Sequence, residues 1–200
     1  MIELRTPLKN ESVSVLKVGD WVTLTGKIYI MRDRTHYRLF EEKAKLPISL
    51  SGYAVLHAAP SFKKNNGRYE IITVGPTTSM RMEKYTPQLI STYGVKAIIG
   101  KGGMGEETRK ALRLNSAVYL EYVGGTSALL LDQITEVTNV WWEDLYGEAL
   151  WEINVAEMGP MIVSMDSSGR DLFNEVSNNA KTKIADILNR NQGVDTQWKR

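Results

Sequence analysis

The sequence predicts a single α/β domain built on a mixed sheet, and three observations carry that expectation. A run over Val95–Ile99, apolar but for Lys96, precedes a helical pattern over Glu106–Leu114 and a second strand-like run over Ala117–Tyr122, which together make a β–α–β unit. Further strand-like segments occupy the early and late parts of the chain. Neither an internal repeat nor a low-complexity linker divides its 200 residues. One domain over residues 1–190, with a frayed tail over 191–200, therefore fits better than two.

In chain order, Val18-Gly19-Asp20 is a turn that feeds an alternating strand running from Trp21 to Met31. Arg32 to Leu46 is charged and free of breakers until Pro47, which predicts a helix. Ala54–Ala59 reads as a short apolar strand. Lys63-Lys64-Asn65-Asn66 reads as a solvated loop, with Asn65-Asn66-Gly67 as its turn. Tyr69–Val74 is the next strand, broken by Gly75-Pro76. Thr86-Pro87 opens a helix that stops at Gly94. After the central β–α–β unit, Gly124-Gly125 is a turn and Ser127–Leu131 a helical turn. Val137–Trp142, Ala149–Val155 and Met161–Met165 read as three strands, and Asp171–Leu188 as a terminal helix.

The bulk numbers exclude several classes. With 25 basic and 23 acidic residues the formal charge is +2, no footprint for nucleic acid. There is no cysteine, hence no disulfide framework and no thiolate site for zinc or an iron–sulfur cluster in this chain. His36 and His57 are the only imidazoles, too few for a self-contained transition-metal site. No stretch approaches the ~20 apolar residues of a membrane span, and Met1–Arg5 lacks a signal-peptide core. A cytoplasmic protein is the expectation.

Four clusters could carry chemistry. In Gly75-Pro76-Thr77-Thr78-Ser79-Met80-Arg81-Met82, three hydroxyls and a guanidinium follow a strand break. Arg81 could clamp a carboxylate through two parallel hydrogen bonds. A helix N-cap is the plainer reading, although one hydroxyl suffices for a cap. Gly100-Lys101-Gly102-Gly103-Met104-Gly105 lies between strand and helix, with Glu121 at the end of the next strand, as in a dinucleotide-binding fingerprint. It is not a Walker loop, because Gly102 follows Lys101 where Ser or Thr belongs. The alternatives are a tight turn and a solvated lysine. Met31-Arg32-Asp33-Arg34-Thr35-His36 is either a capped helix start or a site with His36 as proton shuttle. The aromatic stretch Trp141–Trp151 reads as core or interface, and Glu143 with Asp144 makes a poor acid/base dyad if both lie on a strand.

Taken in order, these pieces resemble the C-terminal part of class I fumarate hydratases, a separate β subunit in many archaea and bacteria. The L-tartrate dehydratase β subunit is similar. The resemblance spans about Leu4 to Gly169, and its most specific block is Gly75-Pro76-Thr77-Thr78-Ser79-x-Arg81-Met82. Gly19-Asp20-x-Val22 with Gly26, Arg32-Asp33 with His36, Gly100-Lys101-Gly102, Gly124-Gly125 and Glu148-Ala149-x-Trp151 complete it. Arg34 and Thr35 stand where the family has small residues, and Ala59-Pro60 where it often has a glycine before the proline.

The resemblance implies a swivelling β/β/α domain and a cluster-bearing α subunit, in an assembly of two α and two β chains. The 4Fe–4S cluster would be held by that partner and not by this chain, its open iron acting as Lewis acid on the departing hydroxyl. The substrate would be a small dicarboxylate: malate and fumarate, or a close hydroxy-diacid such as tartrate. Arg32, Arg81 and Lys101 are the expected carboxylate binders. Thr77 is the expected base, with Thr78 beside it and His36 as the conventional alternative. A competing reading is an NAD(P)-dependent oxidoreductase using the Gly100–Gly105 loop and Glu121.

Overall fold

The computed structural model describes residues 1–125 and 127–191, so the expected frayed tail, apart from residue 191, lies outside the described residues. The first half contains β1 (Ile2–Arg5), α1 (Asn10–Ser14), β2 (Trp21–Met31), α2 (Asp33–Phe40), β3 (Ala54–His57) and the hairpin β4 (Ser61–Asn65) with β5 (Arg68–Thr73). The second half contains α3 (Thr86–Tyr93), β6 (Ala97–Gly100), α4 (Glu106–Leu114), β7 (Val118–Glu121), α5 (Ser127–Gln133), β8 (Ile134–Trp141), β9 (Leu150–Met165) and α6 (Leu172–Asn191).

Strands β2, β3, β6 and β7 are neighbours and run parallel. Strand β9 pairs antiparallel with both β2 and β7, and β8 lies along β9. The sheet is therefore mixed, and its parallel part carries two apolar faces in strict alternation. Ile28 and Ile30, Ala54 and Leu56, Ala97 and Ile99, Val118 and Leu120 pack in one core with Trp151, Ile153 and Val155 of β9. Tyr29, Met31, Val55, Ile98 and Tyr119 pack in the other, against Leu39 of α2, Leu89 and Ile90 of α3, and Ala111 and Leu112 of α4. One core thus lies where β9 packs with the parallel strands, and the other between the parallel strands and the helices. A fully buried leucine or isoleucine contributes about 1.5–3 kcal/mol, so both cores hold the parallel strands in place.

Four expectations needed correction. The helix beginning near Arg32 ends at Phe40 rather than Leu46. Lys43 adopts a left-handed φ of 55°, and the Ala44 amide returns to the Arg38 carbonyl, which closes the helix without a breaker. The lysine-rich loop contains strand β4, whose Phe62 reaches the Trp151 ring at 4.9 Å. The two last strands are one, because exposed Pro160 sits where β9 needs no ladder donor. Glu143 and Asp144 lie in a 3-10 segment, not on a strand. Residues Ile2–Arg5, discussed above only for the lack of a signal core, form β1 on the edge of β2.

Candidate functional site

The carboxyl ends of β2, β3, β6 and β7 meet along one rim, and each delivers a polar group there. In open α/β sheets that rim is where ligands bind. Arg32 follows β2 directly and is the N-cap residue of α2. His57 ends β3, Lys101 follows β6 and Glu121 ends β7.

The segment after Pro76 threads between the ends of β3 and β6 like a short added strand. The Thr77 amide donates to the His57 carbonyl at 2.7 Å, the Lys101 amide to the Thr77 carbonyl at 3.2 Å, and the Ser79 amide to the Lys101 carbonyl at 3.0 Å. Backbone bonds thus fix the loop, and the side chains of Thr77 and Thr78 are not spent on it. The following 3-10 helix, Ser79–Met82, has Thr78 as its N-cap residue with no side-chain capping bond. Capping therefore does not account for the hydroxyls.

Arg81 turns back over this segment. Its Nη2 donates to Thr77 Oγ1 at 2.8 Å, while Nε and Nη2 grip the Asp33 carboxylate at 3.1 and 3.0 Å. Arg32 Nε donates to the same carboxylate at 3.0 Å and lies 3.8 Å from Glu148. Burial opposes ionisation of Asp33, but the bonds from Arg81 and Arg32 outweigh it and hold its carboxyl down at about 2. Both guanidiniums stay partly exposed, at 43% for Arg81 and 33% for Arg32. Glu148 Oε2 also accepts from the Arg34 amide at 2.8 Å, fastening the start of α2.

His36 lies beneath this pair with no exposed surface. Its Nδ1 contacts the Arg32 carbonyl at 2.8 Å, and its ring stands 5.5 Å from that of His57, edge to face. Burial lowers its imidazole to about 4, against the pull of the Arg32 carbonyl and Asp33. Burial also pushes His57 well below the ordinary histidine range, and His36 adds to that. Both rings are neutral at neutral pH.

The glycine loop is a tight turn, with Gly102 at φ +74°. Lys101 is exposed and makes no salt bridge among the described residues. Its stem crosses Gly124, where an added Cβ would fall 2.7 Å from Lys101 Cδ. The loop's amides, however, already have carboxylate partners. Gly102 N donates to Glu121 at 2.9 Å, and the amides of Gly105 and Thr108, at the start of α4, donate to Glu83 at 2.8 and 3.0 Å. In a dinucleotide fold a pyrophosphate would take those donors. Burial raises the Glu121 carboxyl, against the Gly102 amide and Lys101, and its Oε2 has no hydrogen-bond partner.

Thr77, Thr78, His36, Arg32, Arg81 and Lys101 thus converge on one rim. Asp33, Glu148, Ser79 and His57 lie there too; Ser79 was one of the three hydroxyls of its cluster, but none of the four was assigned a role from sequence. The signal for Asp33 was an acid between Arg32 and Arg34, while Glu148 stood only in the cation-free Glu148-Ala149-x-Trp151 block. No sequence signal marked the His57 side chain. The Trp141–Trp151 stretch supplies core, since Trp151 is fully buried between Phe62 and Tyr69. A cleft of about 720 Å³ lies elsewhere, between β5 and β8, bordered by Arg68, Tyr69 and Glu136–Val140.

The mixed α/β domain thus lines neighbouring strand ends with two arginines, a lysine and paired threonines. The chain belongs to the family described as "Fumarase C-terminus", whose model matches residues 1–176. It is 41% identical to the "L(+)-tartrate dehydratase subunit beta" of Escherichia coli (strain K12) over 173 residues, 86% of each chain. It is 39% identical to the "Putative L(+)-tartrate dehydratase subunit beta" of Methanocaldococcus jannaschii, over 90% of this chain and 95% of that one. Against the "Putative fumarate hydratase class I" of Geobacillus stearothermophilus identity is 36%, over 92% of this chain but 36% of that protein. These names denote hydro-lyases, and this chain is of the hydro-lyase β-subunit type.

Proposed function

We propose that the chain is the β subunit of a hydro-lyase that interconverts a hydroxy-dicarboxylate and its unsaturated diacid, with fumarate/malate or tartrate chemistry as the candidates. It works with an α subunit, in an assembly of two α and two β chains in the cytoplasm. The chain offers no ligand set for an iron–sulfur cluster: it has no cysteine, and no group of three His, Asp or Glu among the described residues could hold a metal. In this reading the cluster is carried by the α subunit, and the β subunit contributes charge and a proton acceptor.

Dianionic substrates need several cations. Arg32, Arg81 and Lys101 stand on one rim, and two point charges near a surface gain roughly 4 kcal/mol at 4 Å. Asp33 holds both guanidiniums in orientation. In dehydration, Thr77 Oγ1 as alkoxide takes the proton from the carbon next to the hydroxyl-bearing carbon, and the C–H electrons form the double bond as hydroxide leaves. In hydration the same hydroxyl returns the proton. A threonine alkoxide requires a cation to hold it. The observation that carries this reading is the 2.8 Å bond from the Arg81 guanidinium to Thr77 Oγ1. Thr78 lies at the next position on the exposed rim. His36 is the alternative base, since its Nε2 carries no hydrogen bond.

The test is co-expression with an α subunit, anaerobic reconstitution of the cluster, and absorbance assays on fumarate and other unsaturated diacids. Activity that needs both chains supports the reading. Hydration of fumarate by the isolated chain would sink the division of labour. If His36→Asn abolishes solvent-proton exchange into malate while Thr77→Ala preserves it, the base is His36.

A further inference from the structure

Behind the threonine loop lies a set of buried groups that the reaction above does not use. Ser79 and His57 have no exposed surface, and Tyr119 of β7 has none. Tyr119 Oη lies 2.5 Å from the Gly102 carbonyl and 3.0 Å from Ser79 Oγ, and Ser79 Oγ lies 2.9 Å from His57 Nδ1. Proton counting orders these contacts. A carbonyl only accepts, so the single Tyr119 proton goes to Gly102. The Ser79–Tyr119 contact must then use the single Ser79 proton, donated to Tyr119 Oη. Ser79 Oγ has none left for His57, so His57 Nδ1 carries a proton and donates it to Ser79. Burial keeps Tyr119 un-ionised and His57 neutral, so no other assignment puts a proton in all three contacts.

Each end of this chain is tied to the rim. The His57 carbonyl holds the Thr77 amide, the Ser79 amide holds the Lys101 carbonyl, and Gly102 is the neighbour of Lys101. The packing at the centre has no slack: a Cβ on Gly100 would fall 1.8 Å from Ser79 Oγ. We propose that Ser79 is a positioning residue of the hydro-lyase site, the hub of a one-way hydrogen-bond chain that fixes Thr77 relative to Lys101. The inference rests on the hydro-lyase reading for its catalytic meaning but not for its proton order.

The chain has two histidines, so nitrogen-15 spectra of the full 200-residue protein report each ring, with His36→Gln giving the assignment. His57 is expected as the Nδ1–H tautomer, against the usual preference for Nε2–H. Tyr119→Phe removes the acceptor for the Ser79 proton. That proton then turns to His57 Nδ1, and His57 is expected to switch to Nε2–H. In the assembled enzyme, Ser79→Ala and Tyr119→Phe should each lower kcat roughly 10- to 100-fold, as for groups that orient site residues. KM should move less, because Arg32 and Arg81 are untouched. A wild-type His57 in the Nε2–H form overturns the proton order. The expected tautomers with kcat within twofold of wild type in both variants overturn the positioning role and leave the hydro-lyase reading standing. An assembled wild-type enzyme inactive on every diacid removes that reading and the role together, while the tautomers still decide the proton order.

Discussion

The loop from Gly75 to Met82 and the loop from Gly100 to Gly105 invite the same reading in sequence, a backbone turn aimed at an anion. The structure separates them. In the threonine loop, backbone bonds to β3 and β6 fix the chain, and the hydroxyl of Thr77 is held by an arginine. In the glycine loop, Glu121 and Glu83 occupy the amides, and what faces solvent is the ammonium of Lys101. A glycine-rich loop binds phosphate only if its N–H groups are free. Here its conformation serves to place one side chain.

The largest effect is expected at Thr77. Thr77→Ala should lower kcat of the assembled enzyme about 10²- to 10⁴-fold, the range for removal of a positioned general base, with KM little changed. Thr77→Ser should keep part of the activity. Arg81→Lys comes next, at roughly 10- to 100-fold in kcat/KM, because lysine loses the fork that spans Thr77 and Asp33. Arg5→Lys, in the edge strand β1, is the control expected to match wild type. Near-normal kinetics for Arg81→Lys would remove the distinction between the loops.

On the glycine loop the readout should be stability instead. Glu83→Ala strips the carboxylate from the start of α4 and should cost about 0.5–2 kcal/mol, seen as a Tm lower by a few degrees in a chain of this size. Calorimetry of the assembled complex with NAD and NADP should show no saturable binding. Binding abolished by Glu121→Ala would instead revive the oxidoreductase.

A further effect, on stability and not on turnover, concerns pH. A histidine whose folded value is lowered binds its proton more readily unfolded, so acid destabilises the fold. For His36 the loss should run from pH 6.5 down to about 4 and then level off. Asp33 adds a separate loss from 3.8 down to about 2, since its depressed value means that stability is present above that window. His57, held lower still by burial, adds a loss that begins in the same range, so thermal melts of His36→Gln should make the upper segment shallower without abolishing it.

Which parts were legible follows from the range of the forces involved. The β–α–β unit announced itself because periodicity is local: Glu106–Leu114 is helical to the residue. The ends of α2 and β9 were misjudged, since a left-handed Lys43 and the register shift that carries β9 past Gly159-Pro160, between the Leu24–Met158 and Val22–Met161 pairs, are set by contacts that no window of sequence contains. The cationic residues could be named from motif and chemistry. Asp33 as their shared counter-ion, and His57 below them, depend on which strand ends lie side by side. Lysines 63 and 64 hid β4, because its burial rests on Phe62 alone among polar neighbours.

Strand β9 also governs when the domain can come into being. Its partner on one side, β2, is synthesised well before it, and register runs from Trp21 with Ile162 to Ile30 with Trp151. Pairing over such a separation raises contact order and slows folding. Until Met165 has left the ribosome, β2 and β7 each present an open edge, the kind of surface on which nascent chains aggregate. The sheet whose strand ends gather the arginines is thus completed last, and a chain truncated before β9 should be lost to aggregation rather than survive as a partial binder.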